Sequence, residues 1–326
     1  MATNKRKVML PHTMGKQGIE VMQARGDIET IMYPAGISQA ELLPRLGDIA
    51  GIALSGTPYR KKEMDASPVM QAVARIGVGY DAVEIPALTA RRVPLLTAGT
   101  ANSTSVAEQA FNLIIALAKK NRAMHAMVTG DNWTQRHIDP PMELSGKTIL
   151  IVGFGRIGTR TARRCAAFDM TVLIHDPYIK QDTIRSAGYQ IADNIDAVLP
   201  KADIVCIHCP KSPETVGMFN AARFGLMKKG AFIVNTARGG IIDEPALYQA
   251  LTSGHLAGAG LDVFEQEPTP ADNPLLSLEN VISSPHMAGV TTESIAAMAV
   301  ATSRNILSVL DGTPNRENTI NPEVYD

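Results

Sequence analysis

Cysteine is scarce in this sequence: Cys165, Cys206 and Cys209 are the only three in 326 residues. An odd count this low leaves no disulfide framework and fits a reducing compartment. A surplus of one charge is also lacking. Lysine plus arginine comes to 31 and aspartate plus glutamate to 32, with no long run of either sign. That balance argues against nucleic acid or an anionic membrane as the main partner. The basic cluster Arg60-Lys61-Lys62 reads as a solvated helix start. No apolar stretch of about 18 residues occurs, so no transmembrane helix is expected. The charged opening, Met1 to Lys7, is followed only by the strand-sized run Val8 to Leu10, too short for the apolar part of a secretion signal. A cytoplasmic protein is expected.

Apolar residues make up 45 % of the chain, and the length suits two domains rather than one core. Short β-branched runs alternate with helical stretches, which is the pattern of parallel sheets covered by helices. Lys7–Leu10, Ile28–Met32, Gly51–Leu54, Arg75–Ile76 and Val93–Leu96 are predicted strands, with helices over Gln39–Leu46 and Ile85–Arg92. A longer helix is predicted over Val106–Lys120, with Ser103 or Thr104 as its cap. Phe111, Leu113, Ile114, Ile115 and Leu117 surround it on most sides, so it must be buried in a core, at a domain crossing or in a subunit contact. A second α/β unit has predicted strands Lys147–Val152, Thr171–His175, Ile204–His208, Ala231–Asn235, Ala257–Leu261 and Val281–Ser283. Its predicted helices are Arg156–Phe168 and Glu244–Thr252. The final helix, Thr292–Leu310, has no strand after it and is expected to return to the first unit.

Cys206 and Cys209 have C-x-x-C spacing around His208, a weak zinc or redox signal when it stands alone. The plainer reading makes Asp203–His208 a buried strand and Cys206 a small core hydrophobe, with no metal site. The stronger motif is Gly153-Phe154-Gly155-Arg156-Ile157-Gly158, which follows a strand and opens a helix. Gly153 permits the tight turn, Gly155 lets a pyrophosphate approach the backbone, and Gly158 lets helix and strand pack closely. The helix start offers free N–H groups and positive partial charge to phosphates. The next strand ends at Asp176, 18 residues after Gly158. A carboxylate there accepts from a ribose 2′-hydroxyl and repels a 2′-phosphate, so the motif points to NAD.

Three more segments each follow a predicted strand, where ligands of open α/β sheets bind. Val234–Asp243 holds Arg238 with Gly239 and Gly240 after it, Leu261–Pro268 holds Glu267, and Ser283–Gly289 holds His286. A planar guanidinium matches a carboxylate. Hydride transfer to a carbonyl beside a carboxylate needs such a cation, a proton donor, and a group that favours the donor's charged form.

Together with Arg75–Asp81 and Asn102–Glu108, these segments resemble the D-isomer-specific 2-hydroxyacid dehydrogenase family over nearly the whole chain. That family includes phosphoglycerate dehydrogenases, glyoxylate/hydroxypyruvate reductases and D-lactate dehydrogenases. The resemblance implies an α/β fold of two doubly wound parallel-sheet domains. A Rossmann NAD-binding domain (99–289) would be inserted in a discontinuous flavodoxin-like substrate domain (1–98 and 290–326), with the cleft between them. It implies His286 as general acid/base, Glu267 as its partner and Arg238 on the substrate's carboxylate and carbonyl oxygens. Val78 and Gly79 would hold the carboxylate through their N–H groups, and Ser55 and Gly56 would lie beside the substrate. NAD would be met by Thr104, the glycine motif with Arg156 and Ile157, Asp176, Cys209, Thr236, Ala237, Asp262 and His286, with Asp262 at the carboxamide. A homodimer through the NAD-binding domain is implied, and the apolar helix after Val106 would suit it.

Members acting on phosphorylated acids often carry an arginine where this chain has Leu54, which counts against a phosphoglycerate reading, although Arg60 or Arg75 could stand in. The chain stops shortly after its last predicted helix, so no appended regulatory domain is expected. Formate dehydrogenases pair their histidine with glutamine, and Glu267 departs from that. A non-catalytic NAD-sensing corepressor is the rival from another class, separable by an activity assay. The identity of the 2-keto acid is open.

Overall fold

The structure, a computed structural model, describes residues 5–326. The chain divides into two compact units, 1–102 with 290–326, and 103–289. Each is built on one wholly parallel sheet.

In the first unit, β1 (Arg6–Pro11), β2 (Ile28–Tyr33), β3 (Ile49–Leu54), β4 (Ala72–Arg75) and β5 (Leu95–Leu96) stand in the order β2-β1-β3-β4-β5. Alternate side chains go to opposite faces, the period-2 rule of a strand. Met9, Ile52, Leu54 and Val73 enter one core, while Val8, Leu10, Ala53 and Ala74 enter the other. The second core is roofed by the helices Lys16–Gln23 and Thr292–Leu310. They approach closely because Gly18 has no side chain: a Cβ there would stand 2.5 Å from the carbonyl oxygen of Ala299. Ser303 completes the contact by donating to the Gly18 carbonyl at 2.7 Å.

One edge of this unit is tied by charge. Arg25 donates through Nη1 and Nη2 to the two carboxylate oxygens of Asp311, and Asp27 accepts from both Arg25 and Arg6. The Arg25 guanidinium first, then Arg6, holds the Asp27 carboxyl below the usual carboxylate range, and Arg25 does the same for Asp311. A depressed folded-state pKa gives stability that is present above the unfolded value and lost as pH falls through the folded one. Arg25→Ala is therefore expected to flatten the acid limb of the unfolding curve below about pH 4, where carboxyls titrate in an unfolded chain. The effect should be modest because the groups are solvent-exposed. An acid limb identical to the parent's in a pH series of melting temperatures would refute it.

In the second unit, β6 (Thr148–Val152), β7 (Thr171–His175), β8 (Gln190–Ile191), β9 (Ile204–Ile207), β10 (Phe232–Asn235), β11 (Gly258–Leu261) and β12 (Val281–Ser283) stand in the order β12-β11-β10-β9-β6-β7-β8. The strand order reverses between β6 and β9. Leu150, Val152, Val205 and Ile233 pack on one face, and Ile149, Ile151, Cys206 and Val234 on the other.

The long apolar helix spans Ser103–Ala118, starting earlier than expected, with Ser103 inside it rather than at its cap. Its apolar face is covered by its own unit. Gly258 and Gly260 of β11 let it descend onto the sheet, since Cβ atoms there would meet Leu117 at 3.0 Å and Leu113 at 2.9 Å. Thr104, Glu108 and Asn112 form the exposed stripe at four-residue spacing, and Glu108 pairs with Arg164 at 2.9 Å. This corrects the expectation that its apolar faces suit a subunit contact. Exposed apolar side chains lie in the next segment, the helix Asn121–Thr129 and the turn Trp133–His137 with Ile138 after it. There Met124, Val128, Trp133 and Ile138 are 45–77 % exposed.

Candidate active site

Parallel pairing puts every carboxyl end of the seven-stranded sheet along one edge, and each loop of interest leaves from it. The reversal between β6 and β9 makes the crevice in which such sheets hold their ligands. The β6 turn shows why its glycines are needed. Gly153 has φ +100°, and a Cβ on it would lie 2.7 Å from the Cys209 amide nitrogen, so the chain leaving β9 presses directly on this turn. A Cβ on Gly158 would lie 2.0 Å from the Gly153 oxygen. Gly155, by contrast, has no atom within 4 Å of its Cβ position, and it is exposed between Phe154 and Arg156. Ile157 precedes the helix Gly158–Ala166 as its N-cap residue. A phosphate-bearing cofactor fits this combination of tight turn, open backbone and helix start.

Asp176, one residue beyond β7, accepts from Phe154 N–H at 2.7 Å with Oδ2, and from Tyr178 and Ile179 N–H at 2.9 and 3.2 Å with Oδ1. It thus braces the glycine turn as well as lying beside it. Past β9, the C-x-x-C pair has different fates. Cys206 is fully buried with its Sγ 3.2 Å from His208 Nε2. Packing pushes the His208 pKa down to about 4 and the Cys209 thiol up to about 11, so Cys209 offers surface rather than a reactive thiolate.

The β10 loop is folded by Asn235, a residue the motif reading passed over. Its side chain is 1 % exposed. Its Oδ1 accepts from Ala237 N–H at 3.0 Å, and its Nδ2 donates to the Arg238 carbonyl at 2.9 Å. This staples the turn Thr236-Ala237-Arg238, and Arg238 Nη1 donates to the Ala237 carbonyl at 2.6 Å. Thr236 Oγ1 is buried and has no hydrogen-bond partner among the described residues. A buried polar atom of this kind, at the ligand edge of the sheet, suits contact with a bound cofactor. Gly239 carries the turn onto the next loop: a Cβ there would be 1.7 Å from the Phe264 carbonyl oxygen. The Arg238 and Glu267 loops are therefore packed backbone to backbone.

Glu267 Oε1 accepts from Phe264 N–H at 3.0 Å, which aims the carboxylate, and Oε2 meets His286 Nδ1 at 2.7 Å. His286 adopts φ +53°, a left-handed backbone that a side chain disfavours, and its N–H donates to the Asp262 carbonyl at 2.8 Å. Asp262 is 1 % exposed. It accepts from Ser284 Oγ at 2.5 Å, Met287 N–H at 2.9 Å and Ala288 N–H at 2.8 Å. That fills three of the roughly four acceptor positions a carboxylate has. Phe264, Ser284 and Asn235 were not legible as site residues because their contribution is to hold loops, which no spacing announces. A polar residue ending an otherwise apolar strand, as Asn235 does after Phe232-Ile233-Val234, was the available signal.

The remaining expected residues lie on other elements. Thr104 is exposed on the first turn of the helix Ser103–Ala118. Ser55 and Gly56 follow β3, and Val78 and Gly79 follow β4, at the carboxyl edge of the first unit's own sheet. Arg75 Nε donates to the Gly79 carbonyl at 2.8 Å, which fixes that loop from within.

A family model for the D-isomer specific 2-hydroxyacid dehydrogenase, NAD binding domain, matches residues 111–288. The chain belongs to the D-isomer specific 2-hydroxyacid dehydrogenase family. A glyoxylate reductase of Thermofilum pendens is 35 % identical over 314 residues, covering 94 % of this chain and 92 % of that protein. A D-3-phosphoglycerate dehydrogenase of Methanocaldococcus jannaschii is 35 % identical over 316 residues, covering 97 % of this chain. This chain spans 59 % of that relative's length. A crystal structure of a Thermus thermophilus protein matches with a TM-score of 0.88 at 30 % identity, covering 96 % of this chain and 99 % of that one. The resemblance and fold class read from the motifs are thus established, and the second unit contains the family's NAD-binding domain.

Proposed function

We propose that the protein is an NAD-dependent dehydrogenase that interconverts a small D-2-hydroxy acid and its 2-keto acid. The observation that carries this reading is the His286–Glu267 hydrogen bond of 2.7 Å, with the Glu267 loop packed against the Arg238 turn. In the reduction direction, Arg238 would hold the carboxylate and polarise the carbonyl, with Val78 and Gly79 as further N–H donors. His286 would give a proton to the oxygen as hydride arrives at C2, the hydride being what NADH supplies when bound. Glu267 would stabilise the charged imidazole. Leu54 puts no cation at the end of β3, which counts against a phosphorylated acid, while the exposed Arg60 keeps that alternative in the test. A panel of glyoxylate, hydroxypyruvate, pyruvate and 3-phosphohydroxypyruvate, followed by NADH consumption, tests the reading. Consumption with none of them would overturn it and favour a non-catalytic NAD sensor.

Asp176 supports a preference for NADH. A second negative charge on the cofactor's ribose would face a carboxylate already fixed by three amides. The parent should show higher kcat/KM with NADH than with NADPH, and Asp176→Ala should narrow the gap. A parent that prefers NADPH would end this assignment.

The proposal extends to a cytoplasmic homodimer in which a second copy covers the exposed apolar strip. Met124, Val128, Trp133 and Ile138 lie within one 18-residue stretch and are all exposed, a concentration of apolar side chains that a second copy would cover. Sedimentation is expected to give about twice the 34.9 kDa chain mass. Trp133→Glu combined with Ile138→Glu should shift it to one. A monomeric parent would refute the dimer.

A further inference from the structure

We infer that Ser284 is a positioning residue: through Asp262 it holds the loop 284–288 in the one shape that presents His286. The inference rests on the reading of His286 as the proton donor and goes beyond it, because no motif distinguishes Ser284.

The geometry begins at β12, whose last residue is Ser283. Ser284 N–H still donates to the Leu261 carbonyl at 2.9 Å, continuing the ladder to β11 for one residue more. The chain then turns at Pro285 and wraps around a single buried carboxylate. Asp262 Oδ1 takes the Ser284 hydroxyl at 2.5 Å and Met287 N–H at 2.9 Å, and Oδ2 takes Ala288 N–H at 2.8 Å. His286, between these donors, is held at φ +53° by its own N–H to the Asp262 and Ser284 carbonyls. A non-glycine residue in that region costs energy and persists only where its surroundings over-determine it.

Among the side chains of this loop, only Ser284 contributes a donor to the carboxylate; the other donors are backbone amides. Its hydroxyl direction is also set from outside. Gln109 Nε2, on the helix Ser103–Ala118, donates to Ser284 Oγ at 3.2 Å. An oxygen that accepts from Gln109 has its own proton free for Asp262, so the chain of donation runs from Gln109 to Ser284 to Asp262. The acceptor is a carboxylate and almost fully buried, a setting in which a hydroxyl–carboxylate bond is short and strong. Without the hydroxyl, Asp262 keeps two amides, both on the far side of His286. Nothing then fixes the near side of the left-handed turn to the carboxylate. The His286–Glu267 contact would loosen, because Glu267 is anchored separately to Phe264.

The test compares Ser284→Ala with Ser284→Thr, which retains the hydroxyl. Two readouts are needed: steady-state kinetics with the best keto acid of the panel, and hydrogen–deuterium exchange of the peptide spanning 284–289. In Ser284→Ala, kcat should fall by about ten- to a hundredfold, the range for a displaced catalytic group. KM and NADH affinity should stay within about threefold, and the Met287 and Ala288 amides should exchange faster. Ser284→Thr should recover most of the turnover and the protection. Unchanged exchange in Ser284→Ala overturns the clamp whatever the kinetics. Faster exchange with parental kcat overturns its role in presenting His286. Failure of the functional reading has a different signature, a parent that reduces no keto acid, and the exchange measurement would still decide the clamp.

Discussion

His286→Ala is expected to lower kcat for keto-acid reduction by on the order of a hundredfold or more, the usual worth of a positioned general acid. NADH affinity should change little. The reasoning starts from the two ring nitrogens. Nδ1 is 2.7 Å from Glu267 Oε2, and an ionised carboxylate only accepts hydrogen bonds, so Nδ1 carries a proton and Nε2 is the atom left to exchange one. The ring's direction is set twice, by a carboxylate that Phe264 N–H aims and by a backbone at φ +53°. The side chain is 47 % exposed, which suits proton exchange and leaves little packing to lose. A purely structural His286 would give the alanine variant a lower melting temperature and a near-parental kcat. That pair of results would remove it from the mechanism. Glu267→Gln separates the charge from the contact: a glutamine oxygen can still accept from Nδ1 but no longer favours the charged ring. Reduction by this variant should be slower than in the parent, with NADH affinity little changed. A parental kcat would take Glu267 out of that role.

Much of this arrangement could be read from the chain. Thr171–His175, Val281–Ser283, Glu244–Thr252 and Thr292–Leu310 have the bounds expected of them, because each is flanked by clear turn or cap residues. Asp243, for example, caps its helix by accepting from Ala246 N–H at 2.9 Å. The strand expected at Arg75–Ile76 is β4, Ala72–Arg75, three residues earlier. Alanines 72 and 74 hid it, since small residues carry little strand signal, yet they are what the crowded sheet accepts there. The helix Lys16–Gln23 was missed for a similar reason: Gly18 weakens its propensity but makes the contact with Ala299. Short strand β8 and the six-residue helices at Gln181–Ser186 and Ala221–Leu226 fall below the length at which periodicity is informative. At the site, reactive groups were legible because glycines, an arginine, an acid and a histidine follow strands. Their supports, Asn235, Phe264 N–H, Ser284 and Gln109, emerge only when loops from distant parts of the chain are placed side by side.

Arg238→Lys is expected to lower kcat/KM for the keto acid by about thirtyfold to a thousandfold, with NADH affinity little changed. That range corresponds to losing about 2–4 kcal/mol of transition-state stabilisation, as for comparable oxyanion contacts, at about 1.36 kcal/mol per decade. The positive charge survives this substitution, so the loss tests orientation. A guanidinium is a planar fork that gives two parallel hydrogen bonds, whereas an ammonium is a point charge on a flexible stem. The protein invests in the placement of that fork. Asn235 clasps Ala237 N–H and the Arg238 carbonyl, Arg238 Nη1 reaches the Ala237 carbonyl at 2.6 Å, and Gly239 lies flat against Phe264. A lysine at the same Cα has its three donors on one nitrogen, so it cannot bond the Ala237 carbonyl and also give a ligand two parallel, coplanar hydrogen bonds. The competing view makes Arg238 a tie within its own loop, since it does bond to Ala237. That view predicts a lower melting temperature with near-parental kinetics in the protein that remains folded. Measuring melting temperature, NADH affinity and kcat/KM on this one variant separates the two: retained stability with lost kcat/KM assigns the fork to the substrate, and the reverse assigns it to the loop.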